Sequence, residues 1–165
     1  MIPSLFRHSL LGLSIVAASS GAGAAESPDA VFDRYVAAVH AGDMATVRAL
    51  IAPDVERSDY VGCRPEMDNP TCLAHYVETT VVQPKARFTV LRRQLDGDTV
   101  SARLEVRSPW HSQAGIERIV GTDVVRVRDG LIRGFRFVPD FGDESTAIFF
   151  GSLGIGPRAA KTPSK

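Results

Sequence analysis

Four side chains, two phenols and two carboxyl groups, stand where the sequence pattern directs them toward an apolar interior. They are Tyr35, Asp59, Tyr76 and Asp123. A carboxyl group on an apolar face is unusual, because desolvation disfavours its charged form and raises its pKa. Carboxyl and phenol groups that share a desolvated pocket are suited to acid–base chemistry on a small molecule. The sequence therefore predicts a cupped pocket that holds these groups.

Tyr35 is placed by the first predicted helix. Ser27 is a suitable N-cap for this helix and Pro28 suits its first position. Phe32, Tyr35 and Val39 follow the i, i+3, i+7 spacing of one apolar face, so Tyr35 is expected to point inward. A glycine turn and an aspartate-capped second helix follow, and the next proline ends that helix.

Asp59 is placed by a predicted strand from Val55 to Val61. Period two puts Arg57 and Asp59 on one face with both valines, and Glu56, Ser58 and Tyr60 on the other. The face with the valines is expected to be the inner one. Arg57 beside Asp59 would favour the carboxylate and lower its pKa.

Tyr76 is placed by a third predicted helix, which starts at Asn69-Pro70, carries Tyr76 on its apolar stripe and ends before Pro84. Cys63 and Cys72, the only two cysteines, flank its start. In an oxidising compartment they are expected to form a disulfide; two free thiols are the alternative. Their C-x8-C spacing is poor for zinc.

Asp123 is placed by the second of two predicted β-hairpins. The first hairpin joins strands 87–95 and 99–107 through Asp96-Gly97-Asp98, and the second joins 116–128 and 131–138 through Asp129-Gly130. Asp123 is the one charge in an otherwise apolar row of its strand. An ion pair with an arginine is the alternative to a functional role, and the candidates are Arg118, Arg126 and Arg133.

Two further segments lie beside these elements. Pro109 to Gly115 is predicted to be a loop, in which His111 is a candidate rim group. Phe141 to Ile155 is rich in apolar residues and small residues. It could cover a pocket mouth or a dimer face, or form a short packed terminal segment.

The chain ends and the overall charge suggest an exported protein. Residues 1–25 combine a basic start, the short apolar run Leu10 to Ala18 and Ala22-Gly23-Ala24, which together are typical of a cleaved signal peptide; a membrane anchor is the alternative. Residues 26–156 are predicted to form one domain and 157–165 a disordered tail. The location is then the periplasm or the exterior.

Composition narrows the range of partners. The 165-residue chain has 44% hydrophobic and 23% charged residues and a formal net charge of zero. Nothing in this balance points to nucleic acid or, after cleavage, to a membrane surface. No two histidines have ligand spacing, so no metal is expected.

Three helices followed by two antiparallel hairpins predict an α+β fold with helices packed on a curved sheet. The opening DRYVAAVHAGDMATVRALIAPDV and the hairpin GTDVVRVRDGLIRGFRF resemble the NTF2-like superfamily. This cone-shaped fold includes SnoaL-like polyketide cyclases and ketosteroid isomerase, and the resemblance covers most of Ser27 to Asp140.

Within the superfamily the chain looks most like ketosteroid isomerase. The resemblance implies that Tyr35 donates a hydrogen bond to the substrate oxygen and that Asp59 is the base. It also implies that Asp123, held protonated, is the second donor and that Tyr76 supports the network. With Tyr76, the side chains of Arg57, Leu104 and Phe137 are expected to support the pocket. The family needs no cofactor and commonly dimerises through the sheet face, so a homodimer is expected.

The resemblance therefore implies an isomerase, cyclase or dehydratase acting on a small apolar carbonyl compound. A non-catalytic module that binds a hydrophobic ligand is the first alternative. An accessory domain with a dry core is the second, if Leu104, Phe137 and the segment around Phe149 and Phe150 fill the cone.

Overall fold

The computed structural model of the protein describes residues 26–56, 58 and 60–156. Within these residues the chain forms five α-helices, one π-helix and four β-strands. In chain order they are α1 (Pro28–Ala41), α2 (Met44–Leu50), α3 (Asn69–Val77), the π-helix (Glu78–Val82), β1 (Arg87–Asp96), β2 (Thr99–Arg107), α4 (Pro109–Gln113), β3 (Ile119–Arg128), β4 (Leu131–Pro139) and α5 (Glu144–Ser152). The predicted signal peptide and tail, and also Arg57 and Asp59, lie outside the described residues.

The four strands form one antiparallel sheet in the order β1-β2-β3-β4. Both hairpins are confirmed, and their turns have the backbone geometry that their sequences predict. Asp129 and Gly130 have φ values of 55° and 74°, as a two-residue turn between twisted strands requires. The predicted α+β architecture, with helices on one face of a curved sheet, is therefore confirmed.

The helix ends also follow their sequence signals. The Ser27 side chain accepts a hydrogen bond from the backbone N–H of Ala30, and Gly42 ends α1 with a φ of 71°. As predicted, α1 directs Tyr35 inward. Helix α3 starts at the predicted position but continues into the π-helix.

The core lies between α1 and the concave face of the sheet, where α1 crosses β1, β2 and β3. Val31 and Phe32 of α1 are fully buried, as are Val100, Leu104 and Val125 of the sheet. Each such side chain contributes roughly 1.5–3 kcal/mol by leaving water, so this layer supplies much of the driving force for folding.

The predicted strand from Val55 to Val61 is wrong, because the described residues of this segment form no strand. Tyr60, expected on the outer face, is buried and donates a hydrogen bond from its hydroxyl to the Phe135 carbonyl at 2.7 Å. Val61, expected inside, is 59% exposed. The alternation fails because a turn, closed by the bond from Cys63 N–H to the Tyr60 carbonyl, replaces the extended backbone.

Two other segments are more helical than the sequence prediction. The predicted loop from Pro109 to Gly115 contains α4, whose N-cap Ser108 accepts from the His111 N–H. The dipeptide Ser108-Pro109 is the same start signal as Ser27-Pro28. The apolar segment from Phe141 to Ile155 contains α5, which is anchored by the side chain of Thr146, since its hydroxyl accepts a hydrogen bond from the Val120 backbone N–H at 2.8 Å.

Among the described helices none is both long and apolar enough to cross a membrane.

The predicted disulfide between Cys63 and Cys72 is present, with their Cα atoms 5.2 Å apart. It ties the turn after Tyr60 to α3, and so fixes two walls of the site described below.

Replacing both cysteines by serine should lower the free energy of unfolding by about 2–3 kcal/mol, the loop-closure value for a short loop. Urea unfolding of the double variant and of the oxidised wild type measures the change. Wild type kept in reductant is the control, and it should unfold at the midpoint of the double variant. Equal midpoints for oxidised and reduced wild type would contradict the prediction.

Candidate active site in the concave face of the sheet

A cavity of about 110 Å³ lies between the helices and the concave face of the sheet. Its inner end is lined by Tyr35, Tyr76, Asp123 and Phe135, and its outer end by Val61, Trp110, His111, Phe149, Phe150 and Leu153. Tyr35 and Asp123 are each 2% exposed, whereas Val61 and Leu153 are largely exposed. The cavity therefore leads from an apolar rim to a buried polar end.

Asp123 lies on β3 opposite Ala102 of β2 and Phe137 of β4. Its Oδ2 atom has no hydrogen-bond partner among the described residues. Burial alone raises the pKa of its carboxyl group to about 8. At pH 7 the protonated form of this carboxyl group is therefore the predominant one. A protonated carboxyl group carries an O–H donor, so Asp123 can donate into the cavity.

The three arginines considered as partners of Asp123 are engaged elsewhere. Arg118 pairs with Glu105 and Asp143. Arg126 pairs with Glu56, and Arg133 pairs with Asp54 and Asp129. No ion pair with these cations therefore compensates the charged form of Asp123.

Tyr35 brings a phenol to the same end of the cavity. Its ring lies 5.6 Å from that of Phe135, and its hydroxyl has no hydrogen-bond partner among the described residues. Burial, and then the charge of Asp123, raise the pKa of Tyr35 well above its ordinary value. The phenol therefore stays neutral and remains available as a donor.

Tyr76 completes the inner end from α3. Its ring stacks on Tyr60 at 5.0 Å and lies 6.2 Å from Phe135. Burial raises the pKa of Tyr76, and the charge of Asp123 adds to this. Tyr60, which period-two reasoning placed outside, thus packs behind the wall, against Tyr76. Its hydroxyl bond to Phe135 is long-range, so local pattern could not have shown it.

Leu104 and Phe137, expected as pocket walls, do line the cavity. The Phe137 ring stacks on Phe150 of α5 at 6.1 Å. It also covers Gly121 so closely that a Cβ atom there would lie 2.2 Å from Phe137 Cζ. These side chains narrow the cone without filling it. The resulting volume is well below the roughly 300–1,000 Å³ of typical small-molecule sites.

His111, expected only as a rim group, is buried and lines the outer end of the cavity. Its ring meets Phe149 edge-on, with centroids 4.7 Å apart. Burial lowers the pKa of His111, and a hydrogen bond to the Val106 backbone acts in the opposite direction. Its Nδ1 atom has no partner among the described residues.

Arg57 and Asp59 are not among the described residues, so their placement relative to this cavity stays a prediction.

In the described part, no three His, Cys, Asp or Glu side chains form a group that could hold a metal ion.

The family model of the SnoaL-like domain matches residues 32–135, well over half of the chain. A comparison with curated protein sequences gave no match.

Solved structures show the same fold at low sequence identity. The Δ5-3-ketosteroid isomerase of Mycobacterium sp. is 23% identical with a TM-score of 0.53, over 71% of this chain and 96% of that one. RV0760c of Mycobacterium tuberculosis, solved with estradiol-17β-hemisuccinate, is 19% identical with a TM-score of 0.55, over 71% and 97%. An NTF2-like protein of Cytophaga hutchinsonii is 10% identical with a TM-score of 0.53, over 70% and 92%. Identities this low establish the fold alone.

The substitution Gly121→Ala should destabilise the protein by roughly 1–3 kcal/mol, because the Phe137 ring must leave its position over β3. Gly134→Ala is the matched control on β4, since a Cβ atom there would meet its nearest neighbour, the Glu56 side chain, at an ordinary 3.5 Å. Thermal or urea unfolding of both variants measures the difference. Equal stability of the two variants would show that the packing of Phe137 is not tight.

The pH dependence of stability should report the burial of Asp123. Below about pH 4 the carboxyl group is protonated in both folded and unfolded chains. Between its unfolded pKa of 3.8 and its folded pKa of about 8, only the unfolded chain releases the proton. Stability should therefore fall by up to about 1.4 kcal/mol per pH unit in this window and level off above it.

Asp123→Asn removes this titration, so the variant should gain stability over the wild type as the pH rises from 4 to 8. Urea unfolding across that range measures the gain, with exposed Asp96→Asn as the control. Parallel pH curves for wild type and Asp123→Asn would contradict a raised pKa.

Proposed function

The chain belongs to the SnoaL-like domain family, and from that premise we propose that it is a cofactor-free enzyme of the ketosteroid-isomerase type. It performs acid–base chemistry on a small apolar carbonyl compound. Isomerisation of a β,γ-unsaturated ketone is the reaction that its residues fit best. Cyclisation and dehydration use the same chemistry and belong to the same proposal.

One observation carries this proposal: Tyr35 and Asp123 present two neutral, partner-free donors to one apolar cavity. Proton abstraction beside a carbonyl moves negative charge onto the carbonyl oxygen. Preorganised donors in a water-poor site stabilise such an oxygen more strongly than water does. An aspartic acid kept neutral by an apolar site is the donor that ketosteroid isomerase uses.

In the proposed reaction, Asp59 takes a proton from the carbon between the carbonyl and the double bond. The electron pair of that C–H bond forms a new double bond, and the carbonyl oxygen becomes an enolate held by Tyr35 and Asp123. Asp59 then returns the proton to the far carbon of the original double bond. The assignment of Asp59 rests on its match to the family motif, and Tyr76 with Tyr60 supports the wall.

The narrow cavity limits how such a ligand binds. A volume of about 110 Å³ is too small for a fused-ring ketone without displacement of a wall. One side of the outer end is formed by Phe149, Phe150 and Leu153, from the C-terminal part of α5 and the residue after it. We place the required opening there, because the described hydrogen bonds of Thr146 to Val120 of β3, and of Asp143 to Arg118 just before β3, hold only the start of this helix.

The cellular setting is part of the proposal. The disulfide of Cys63 and Cys72 supports an oxidising location, and with the sequence pattern of residues 1–25 it favours export. A homodimer formed through the sheet face is the assembly that the family relationship favours.

The test is the isomerisation of a β,γ-unsaturated ketosteroid, followed by the ultraviolet absorbance of its conjugated product. Asp59→Asn should reduce turnover by about 10²–10⁴-fold through loss of the base. Tyr35→Phe should reduce it by about 10²–10³-fold through loss of one donor. Asp54→Asn removes an exposed carboxylate that pairs with Arg133 and should leave turnover unchanged.

Variants at Asp123 sharpen this test. Asparagine retains an N–H donor, so Asp123→Asn should keep much more activity than Asp123→Leu, which removes the donor. Full turnover in Asp59→Asn or in Asp123→Leu would refute the assigned roles. Absence of turnover in the wild type would refute the isomerase assignment.

A ligand carrier without catalysis is the second candidate, favoured by the apolar rim. Val61, Trp110 and Leu153 line the outer end of the cavity although each is 42% exposed or more. Such a rim could take up an apolar ligand from another surface. Binding of a planar phenol, an enolate mimic, by a wild type that turns nothing over would support this candidate.

A further inference from the structure

His111 lines the cavity but takes no part in the proposed proton transfer. Its ring is buried, and its Nδ1 atom is one of the few buried side-chain polar atoms without a partner in the described part of the chain. We propose that His111 is a second polar contact for the ligand, which therefore carries a hydroxyl group at the end remote from its reacting carbonyl. This inference rests on the proposed function, because it assumes a ligand whose carbonyl faces Tyr35 and Asp123.

The strand register gives the separation of the two polar ends. Asp123 lies opposite Ala102, while Val106, which bonds the His111 ring, lies opposite Ile119. Four residues therefore separate the two levels along both β2 and β3. At about 3.3 Å per residue this is roughly 13 Å. One small functional group cannot reach both ends, but an elongated rigid skeleton with a polar group at each end can.

The chemistry of the ring determines which group it accepts. A neutral imidazole has one N–H donor and one acceptor nitrogen. A hydrogen bond to the Val106 backbone raises the pKa of the ring, as a bond donated by a ring N–H to that carbonyl would. We therefore assign the N–H to that bond and the acceptor role to Nδ1, which has no partner among the described residues. The ring is neutral because burial lowers its pKa. An acceptor nitrogen selects a hydroxyl group over a ketone or a hydrocarbon at that end of the ligand.

Packing alone does not account for a histidine at this position. The ring lies edge-on to Phe149 and nearly parallel to Trp110, contacts that a phenylalanine could also make. The backbone N–H of His111, not its ring, takes part in the capping of α4. A buried polar atom without a partner lowers stability. A ligand hydroxyl would supply the missing partner.

Three phenolic steroids with the same skeleton test the inference. Each places its phenol at the donors of Tyr35 and Asp123, and the opposite end carries a hydroxyl (estradiol), a ketone (estrone) or no oxygen (17-deoxyestradiol). Calorimetric titration of the wild type should show estradiol binding about 3–10-fold more tightly than the deoxy compound, the range expected of one neutral hydrogen bond. Estrone should gain no such advantage.

Two variants locate the effect. His111→Phe should abolish the preference for estradiol while retaining affinity for the deoxy compound. His75→Phe, which changes a histidine of α3 that does not line the cavity, should keep the preference. Comparison of the three ligands in the wild type needs no variant, so equal affinities there would overturn the inference even if His111→Phe did not fold.

The outcomes separate this inference from the proposed function. Equal affinities of the three steroids for the wild type would overturn the role of His111 and leave the donor pair standing. A preference that survives in His111→Phe would also overturn it. No binding of any of the three would overturn the proposed pocket, and the role of His111 with it.

Discussion

Desolvation of the Asp123 carboxyl group is the constraint on which the pocket depends. The group lies in an apolar row of β3, and the neighbouring arginines form ion pairs elsewhere. Without an ion pair to these arginines, an ionised carboxylate there would be strongly disfavoured. The neutral acid has the lower free energy, and burial accordingly raises the pKa of this group to about 8. A residue type that is an acceptor almost everywhere else thus becomes a donor.

The aromatic wall maintains this state. Phe135 lies beside both Tyr35 and Tyr76, and the Tyr60 hydroxyl bonds its carbonyl. Phe137, seated over Gly121, extends the wall toward α5. The same contacts that desolvate Asp123 therefore also orient the tyrosines, so the electrostatics and the geometry of the site have one physical origin.

The sequence predicted what local chemistry determines. Caps at Ser27 and Gly42 gave α1, and the Asp129-Gly130 turn gave the hairpin whose register puts Asp123 on the inner face. The sequence could not predict that Tyr60 is buried. Its hydroxyl hydrogen bond to the carbonyl of Phe135, 75 positions away, overrides the alternation of its segment. The helix α4 could have been predicted, since Ser108-Pro109 is a helix start signal. That prediction would have placed His111 on a helix beside the cavity and not in a loop. Cavity volume depends on the packing of α5, which no local pattern encodes.

Three of the four buried side-chain polar atoms that lack a partner in the described structure line this one cavity: Tyr35 Oη, Asp123 Oδ2 and His111 Nδ1. Each such atom typically costs about 1–3 kcal/mol of stability. A core selected only for packing would replace them with apolar groups of similar shape, at no loss. Their convergence is therefore better explained by a ligand that satisfies them. Because the cavity is narrow while its polar ends lie far apart, the ligand that we propose is thin, rigid and polar at both ends.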